Sequence, residues 1–545
     1  MIDKLPCGFI NSVYGFNDYT LNELICKMAQ KMDEVITQSN ESFNYLDWLK
    51  GQGLSDEVIK IMVEWKEDGT LETLINQNLF NGLNNKIDDV NTELVNIKNN
   101  SKKIIHNIST INDYTTIINN AFAEGGIIEF ESGEYRITDT IYIDTSKVKK
   151  IIGNNAVIIM ENEDIYIREL VIEGHLQGSA PPDQTAQLLK EKNVTIEGLR
   201  IRNKTWGQGV ACTINKTFGL NFINCDFFHN WQGINLIGRN RNINITGCHF
   251  YANQNDNISI SGNLHQFNVT GCQMSYGKRN IFSNNCAIYN MQISGCDIEM
   301  GDFPYNITHE ADILFKQTTE ICEDIEITGC SFEDHWVSGN LIEFNAETDG
   351  LVYACTISGN VLGNCTQRDI YLRNCNTMTI TGNTFKKSTG EGIVIGGDTG
   401  RYINITGNTF TPDHSMILKV NQNCAIRGVK FDNNVCNVKG KAIEIINPQI
   451  YTTSISNNQI FCEDISDNVD YVIKIHAESN TELLNITNNQ IRGRSRYTNS
   501  IVVNESWNNK GINISNNISM DISNPYVIPS IASDNPNKFI ISNNV

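Results

Sequence analysis

A short unit, apolar-x-apolar-Thr/Ser-Gly/Asn-Cys/Asn-x-apolar, recurs along this chain, and it limits the fold more than any local motif does. One copy is Ile243-Asn244-Ile245-Thr246-Gly247-Cys248-His249-Phe250, and others run from Phe267 to Met274, Met291 to Ile298 and Ile325 to Phe332. Later copies are Met378 to Phe385, Ile403 to Phe410, Leu484 to Ile491 and a shorter one from Ile512 to Ile518. The central Gly or Asn falls at 198, 224, 247, 271, 295, 329, 359, 382, 407, 433, 457, 488, 516 and 543, in steps of about 23 to 34 residues, with about 24 commonest. Short alternating runs at that period, with no helical segment between them, match one turn of a parallel β-helix. A leucine-rich repeat needs a Leu-x-x-Leu-x-Leu frame, which these units lack.

Alternation assigns the side chains. Ile243, Ile245 and Phe250 point into the bore and their polar neighbours point out. No coil buries its inward face alone, so stability comes from stacking at about 4.8 Å per coil, and the product is elongated. The residue after each marker forms a column, Cys225, Cys248, Cys272, Cys296 and Cys330, then Asn from Asn360 to Asn544. Stacked Asn can hydrogen-bond along the axis, and buried Cys acts as a small hydrophobe. Parallel Cβ vectors argue against disulfides between rungs. The frequent Asn-x-Ser/Thr triplets follow from the repeat and are no evidence of glycosylation.

Upstream the period changes. Leu21, Leu24, Ile25, Met28 and Met32, then Val58, Ile59, Met62, Trp65, Leu71, Leu74 and Ile75, have helical spacing and predict a helical head over residues 1–80. Leu83, Ile87, Val90, Leu94, Ile97 and Ile104 follow an a/d rhythm and predict a coiled-coil stalk over 81–105. The stripe implies self-association, and its Ile content permits a trimer. Residues 106–545 form the repeat domain.

Composition narrows the partners. A formal charge of -20 and a pI near 4.9 give a field that repels phosphate backbones, so nucleic acid is not expected as a partner. The start of the chain lacks a basic n-region, and no apolar run approaches a membrane span of about 18 residues. A soluble protein without Sec targeting is the expectation. Sixteen Cys without a Cys-x-x-Cys pair read as free thiols made in a cytoplasm.

The entry to the repeat, Tyr114 to Phe122 followed by Gly125-Gly126-Ile127-Ile128-Glu129-Phe130 and Gly133-Glu134-Tyr135-Arg136-Ile137, resembles the opening of pectate-lyase-type β-helix domains. There a short helix caps the first coil, which protects an open sheet edge. Head, stalk and β-helix in that order resemble tailspike or pre-neck appendage proteins of small podoviruses infecting Gram-positive bacteria. Met62 to Leu71, running into Leu74 to Phe80, is similar to their virion-anchoring end. The expected fold is therefore mainly β, a right-handed parallel β-helix with an N-terminal α-helical head and a short coiled-coil stalk. The resemblance implies a virion protein made in the host cytoplasm: a homotrimer attached to phage particle proteins through its head, meeting a host cell-wall polysaccharide or teichoic acid. The chain ends at Ile540 to Val545 inside a repeat, which implies an open final coil, covered by oligomer contacts or by a piece missing or removed.

No nucleophile elbow, P-loop, His-Glu-x-x-His or calcium-loop signature occurs, so chemistry must come from repeat register. Register sets Glu299 beside Glu333, about 4.8 Å apart, close to the 5 to 5.5 Å of a retaining glycosidase pair. Mutual repulsion would raise one pKa. Asp334 and His335 follow directly, and Asp297 takes the neighbouring outward position. Glu299, Glu333, Asp334, His335 and Asp297 are the catalytic candidates, and solvated surface carboxylates are the competing reading. Tyr251, Tyr276, Trp336 and Tyr305 are candidates to stack on sugar rings. No metal or cofactor is assigned. Three functions compete: a glycan-cleaving spike, a non-enzymatic adhesin, and a secreted polysaccharide lyase or hydrolase.

Overall fold

The structure is a computed structural model that describes residues 102–161, 170–173, 193–300, 309–334, 339–463, 468–493, 497–503, 511–527 and 539–545. The chain divides into two units, Met1–Asn96 and Ile97–Val545, and the description falls in the second. The predicted head, and the predicted stalk up to residue 101, lie outside the described residues. At the stalk's far end Lys102–Ile105 is a β-strand paired in parallel with Gly126–Phe130, so Ile104 of the heptad stripe belongs to the solenoid.

The second unit is a parallel β-solenoid of about 15 coils. Each regular coil supplies a short strand such as His249–Tyr251, a middle strand such as Asp256–Ile260 and a long strand such as Asn263–Thr270. Short strands form a 15-stranded sheet, and the other two classes form a 30-stranded sheet. Register is kept from coil to coil. Phe227, Phe250, Met274, Ile298 and Phe332 are successive partners in one inward column. Ile243, Ile245 and Phe250 are fully buried, as the alternation predicts. Aromatic rings stack along the bore, Phe227 on Phe250 at 4.9 Å and Phe385 on Phe410 at 4.2 Å. Each such side chain stabilises the stack by about 1.5–3 kcal/mol.

The repeat markers have one physical meaning. Every one of them, from Gly198 to Asn543, is a left-handed corner with φ between 50 and 64°. Only Gly, and Asn next, takes that conformation at low cost. A Cβ added at Gly271, Gly295, Gly329 or Gly407 would meet nothing within 4 Å, so conformation and not crowding selects glycine there.

The residue after the corner turns inward. From Asn360 to Asn517 each Asn Nδ2 donates to the next Asn Oδ1 at 2.8–3.1 Å, ending on Asn544. The second Nδ2 proton goes to a carbonyl of the preceding coil, as from Asn408 to Ile380 O at 3.0 Å. The next Oδ1 also accepts the corner N–H, as from Asn408 N to Asn434 Oδ1 at 3.0 Å. In the first half buried Cys serves instead, with Cys225 N–H donating to Cys248 Sγ at 3.4 Å and Cys225 Sγ donating to Ile196 O. The described cysteines are free and buried, and burial pushes the Cys355 thiol up to about 12.

At the entry, helix α1 (Thr115–Glu124) sits where the sequence places it. Asp113 accepts bonds from Thr115 N and Oγ1, while Ile118 and Phe122 bury into the core. Gly125 ends α1 at φ 75°, where a Cβ would come within 2.6 Å of Lys147 O. The helix covers the first coils with its apolar face.

Candidate functional site

The carboxylates predicted from register come together on the short-strand sheet. Glu299 pairs with Glu333, and Asp297 stands two residues before Glu299 on the same outward side. Tyr251 and Tyr276 belong to the same surface, their rings edge to face at 5.3 Å. Tyr251 shares a column with Ser275 and Glu299. Tyr276 leaves the short strand in a left-handed conformation, φ 54°, which turns its ring toward Tyr251. Asp334 pairs with Met300 by its backbone. Tyr305, His335 and Trp336 lie outside the described residues.

Electrostatics separate the three carboxylates. Glu333 Oε1 meets Lys386 Nζ at 3.0 Å, across the coil that holds Gly363. A Cβ at Gly363 would lie 2.6 Å from Lys386 O and 2.8 Å from its Cγ, so the bare glycine lets the lysine reach back. Lost hydration, then the charges of Glu299 and Glu333, push the Asp297 carboxyl above the usual range. Burial, then the charge of Glu299, pushes Tyr276 up. The cluster thus sets a carboxyl that holds its proton longer beside a lysine-held carboxylate, an arrangement suited to acid and base roles.

A second feature escaped the sequence reading. Seven consecutive long strands bend five residues before the corner, at Asn242, Gln266, Asn290, Asp324, Ala354, Thr377 and Tyr402, with φ between 52 and 57°. Strand pairing skips these positions: Arg241 pairs with His265 and Ile243 with Phe267, leaving Asn242 and Gln266 unpaired. For Thr377, Ala354 and Tyr402 this backbone is strained by roughly 1–3 kcal/mol each, a cost that concentrates at functional surfaces. The bend folds the outer face into a groove of about 620 Å³. Its floor is a register column, Asn221, Asn244, Asn268, Gln292, Glu326 and Thr356. Asn268 Nδ2 donates to Asn244 Oδ1, and Asn244 Nδ2 to Asn221 Oδ1, both at 2.8 Å. Five strand spacings make the floor about 24 Å long.

A second column precedes the bends: Arg241, His265, Tyr289, Glu323 and Tyr353. His265 stacks on Tyr289 at 4.5 Å. Burial, then Arg241 and Arg239, lowers the His265 pKa and keeps the ring neutral. The carboxylate of Glu323, hydrogen-bonded to Tyr353, pushes that hydroxyl up to about 12, so it stays a donor. Flat rings beside a floor of amides offer stacking and paired donor–acceptor groups, the chemistry that holds polyhydroxylated rings. Amides recur at the positions five and three residues before the corner in successive units, and that recurrence was the signal available in the sequence.

Among the described residues no group of three or more His, Cys, Asp or Glu is placed to hold a metal ion. A family model described as a periplasmic copper-binding protein (NosD) matches residues 314–439, less than a quarter of the chain. No curated protein matches the sequence. Among solved structures the chain is similar to the Dettilon tailspike protein, at 12% identity and TM-score 0.36, covering 66% of each chain. It is similar to the ORF18 protein of Geobacillus virus E2, at 17% identity and TM-score 0.40, covering 60% of this chain and 64% of that one. The chain thus spans just under two thirds of these two proteins. A tailspike mutant of E. coli bacteriophage HK620, in complex with a pentasaccharide, has 12% identity and TM-score 0.45, covering 73% of this chain and 76% of that one.

Proposed function

We propose that this chain is the receptor-binding spike of a bacteriophage and that the amide-floored groove binds a glycopolymer of the host cell surface. The observation that carries the reading is the groove itself, a repeated floor of Asn and Gln with aromatic rings along one rim. The order of head, stalk and solenoid, which resembles podovirus appendages, supplies the setting. In it, residues 1–80 attach to the particle, 81–105 set a homotrimer, and the solenoid meets the wall. Light scattering on the purified chain should give a trimer, and a monomer at micromolar concentration would remove the stalk's role.

Binding tests the groove. Asn244→Ala with Asn268→Ala removes two floor amides, and at about 0.5–1.5 kcal/mol per hydrogen bond the affinity for walls of a Gram-positive host should fall about tenfold. Circular dichroism melting checks that the double variant stays folded. Unchanged wall binding would sink the groove as the receptor site.

A second reading, cleavage of the bound polymer, is favoured by the register of Glu299 with Glu333 and by the raised Asp297 carboxyl. Wild-type protein should release soluble sugar or phosphate from walls, and Glu299→Gln with Glu333→Gln should lower that rate by at least about a hundredfold. Release by both proteins would move the chemistry elsewhere, and binding without release would leave an adhesin.

A further inference from the structure

The charge of the groove selects among glycopolymers. Its described lining holds no Lys or Arg, and it holds two carboxylates, Asp324 and Glu326, two residues apart on one bend. Both are exposed, and among the described residues no ion pair neutralises either. Glu326 accepts a hydrogen bond from Gln292 Nε2 at 3.2 Å, which leaves its charge intact and aims it along the floor. Glu323, on the rim of the same coil, adds a third negative group within four residues. Arg239 and Arg241, the cations that act on His265, lie three coils away from Asp324 and Glu326, and Arg241 is turned to Gln266 Oε1 at 3.5 Å. A polymer with a phosphate in every unit would set like charges against this end of the groove, in a protein that already carries -20.

Resting on the reading of the groove as a glycan site, we infer that it takes a glycan that bears free amino groups and no backbone phosphate, with Asp324 and Glu326 receiving the ammonium. The amides of Asn244, Asn268 and Gln292 meet the uncharged hydroxyl or acetamido groups of neighbouring sugars. An ammonium against two carboxylates gains charge-assisted hydrogen bonds, stronger than neutral ones and weakened by salt.

The test uses the full chain and three preparations of walls from one host: native, N-acetylated with acetic anhydride to remove amines, and stripped of phosphate polymers with hydrofluoric acid. Acetylation should weaken binding at least about tenfold at low salt, and stripping should leave it within about twofold. Asp324→Asn with Glu326→Gln should bind native walls as weakly as wild type binds acetylated ones, and acetylation should then have no further effect. These substitutions keep the fold, because Asn suits the left-handed backbone at 324 and Gln keeps an acceptor for Gln292. Loss of binding on phosphate stripping, or indifference to both acetylation and the double variant, would overturn the inference. In either case a tenfold loss in Asn244→Ala/Asn268→Ala leaves the glycan groove standing, whereas no loss there removes the groove and this inference together.

Discussion

Asp369→Ala should lower the unfolding free energy of the coils around it by about 3–5 kcal/mol, the cost of stranding one partner of a buried ion pair. The side chains of Asp369 and His414 are fully buried, with His414 Nε2 and Asp369 Oδ2 2.6 Å apart. The other carboxylate oxygen accepts from Ser388 Oγ at 2.6 Å, and Ser388 Oγ accepts from Cys365 N. His414 Nδ1 faces the carbonyl of Thr411 at 3.1 Å, and a carbonyl only accepts, so Nδ1 carries a proton. Facing a carboxylate, Nε2 donates when it is protonated, so the charged form of the pair is an imidazolium against a carboxylate. Burial acts to lower the His414 pKa, but the charge and hydrogen bond of Asp369, with the Thr411 carbonyl, leave it raised. The sign follows from linkage. A His raised in the folded state contributes stability that is full below its unfolded value, about 6.5, and lost as pH climbs through the folded value. Denaturant unfolding followed by circular dichroism between pH 5 and 9 should show wild type weakening toward alkaline pH, with that slope reduced in Asp369→Asn. An Asp369→Asn variant with the wild-type slope would sink the assignment of an imidazolium.

Asn408→Ala should cost about 3–9 kcal/mol, and Asn408→Cys clearly less. Alanine at this position strands three buried groups at once. Asn383 loses the acceptor for both its N–H and its Nδ2, each at 3.0 Å, and Ile380 O loses its donor. Each stranded group costs about 1–3 kcal/mol. Cysteine restores a weaker version of both roles, since Cys248 Sγ accepts the N–H of Cys225 and Cys225 Sγ donates to Ile196 O in the coils where Cys fills this position. Thermal unfolding and limited proteolysis of the three proteins measure the order. Equal losses for alanine and cysteine would mean that volume, not hydrogen bonding, sets the column's stability.

The solenoid was legible because its corner is chemically selective. A left-handed residue at each turn admits Gly or Asn, so positions such as Gly247 and Asn488 could be marked without coordinates, and the inward column of Phe250 and Ile298 followed by counting. Register between coils followed too, which is why Glu299 and Glu333 pair as expected. The groove was hidden for the opposite reason. Its bends occupy the same phase of the repeat as one another, and Asn242, Asn290 and Asp324 suit that backbone, but Gln266, Ala354, Thr377 and Tyr402 do not, so the column carries no consistent marker. Stacking against adjacent coils imposes that backbone, so no single residue announces it. The Asp369–His414 pair was also beyond reach, since its partners stand 45 residues apart and the middle strands carry no marker that fixes their phase.

The column behind the corners holds one spacing while the chain between them does not. Successive partners are 23 to 34 residues apart in sequence, as in Asn360 to Asn383 and Cys296 to Cys330, yet the bonds that join neighbouring Asn stay within 2.8–3.1 Å. The length of chain between rungs therefore varies without a matching change in the bonds that join them. A lineage can lengthen or shorten the chain between two rungs, and so change the surface of one coil, without re-registering the remaining coils. The polar spine makes the scaffold conservative and the periphery free to vary.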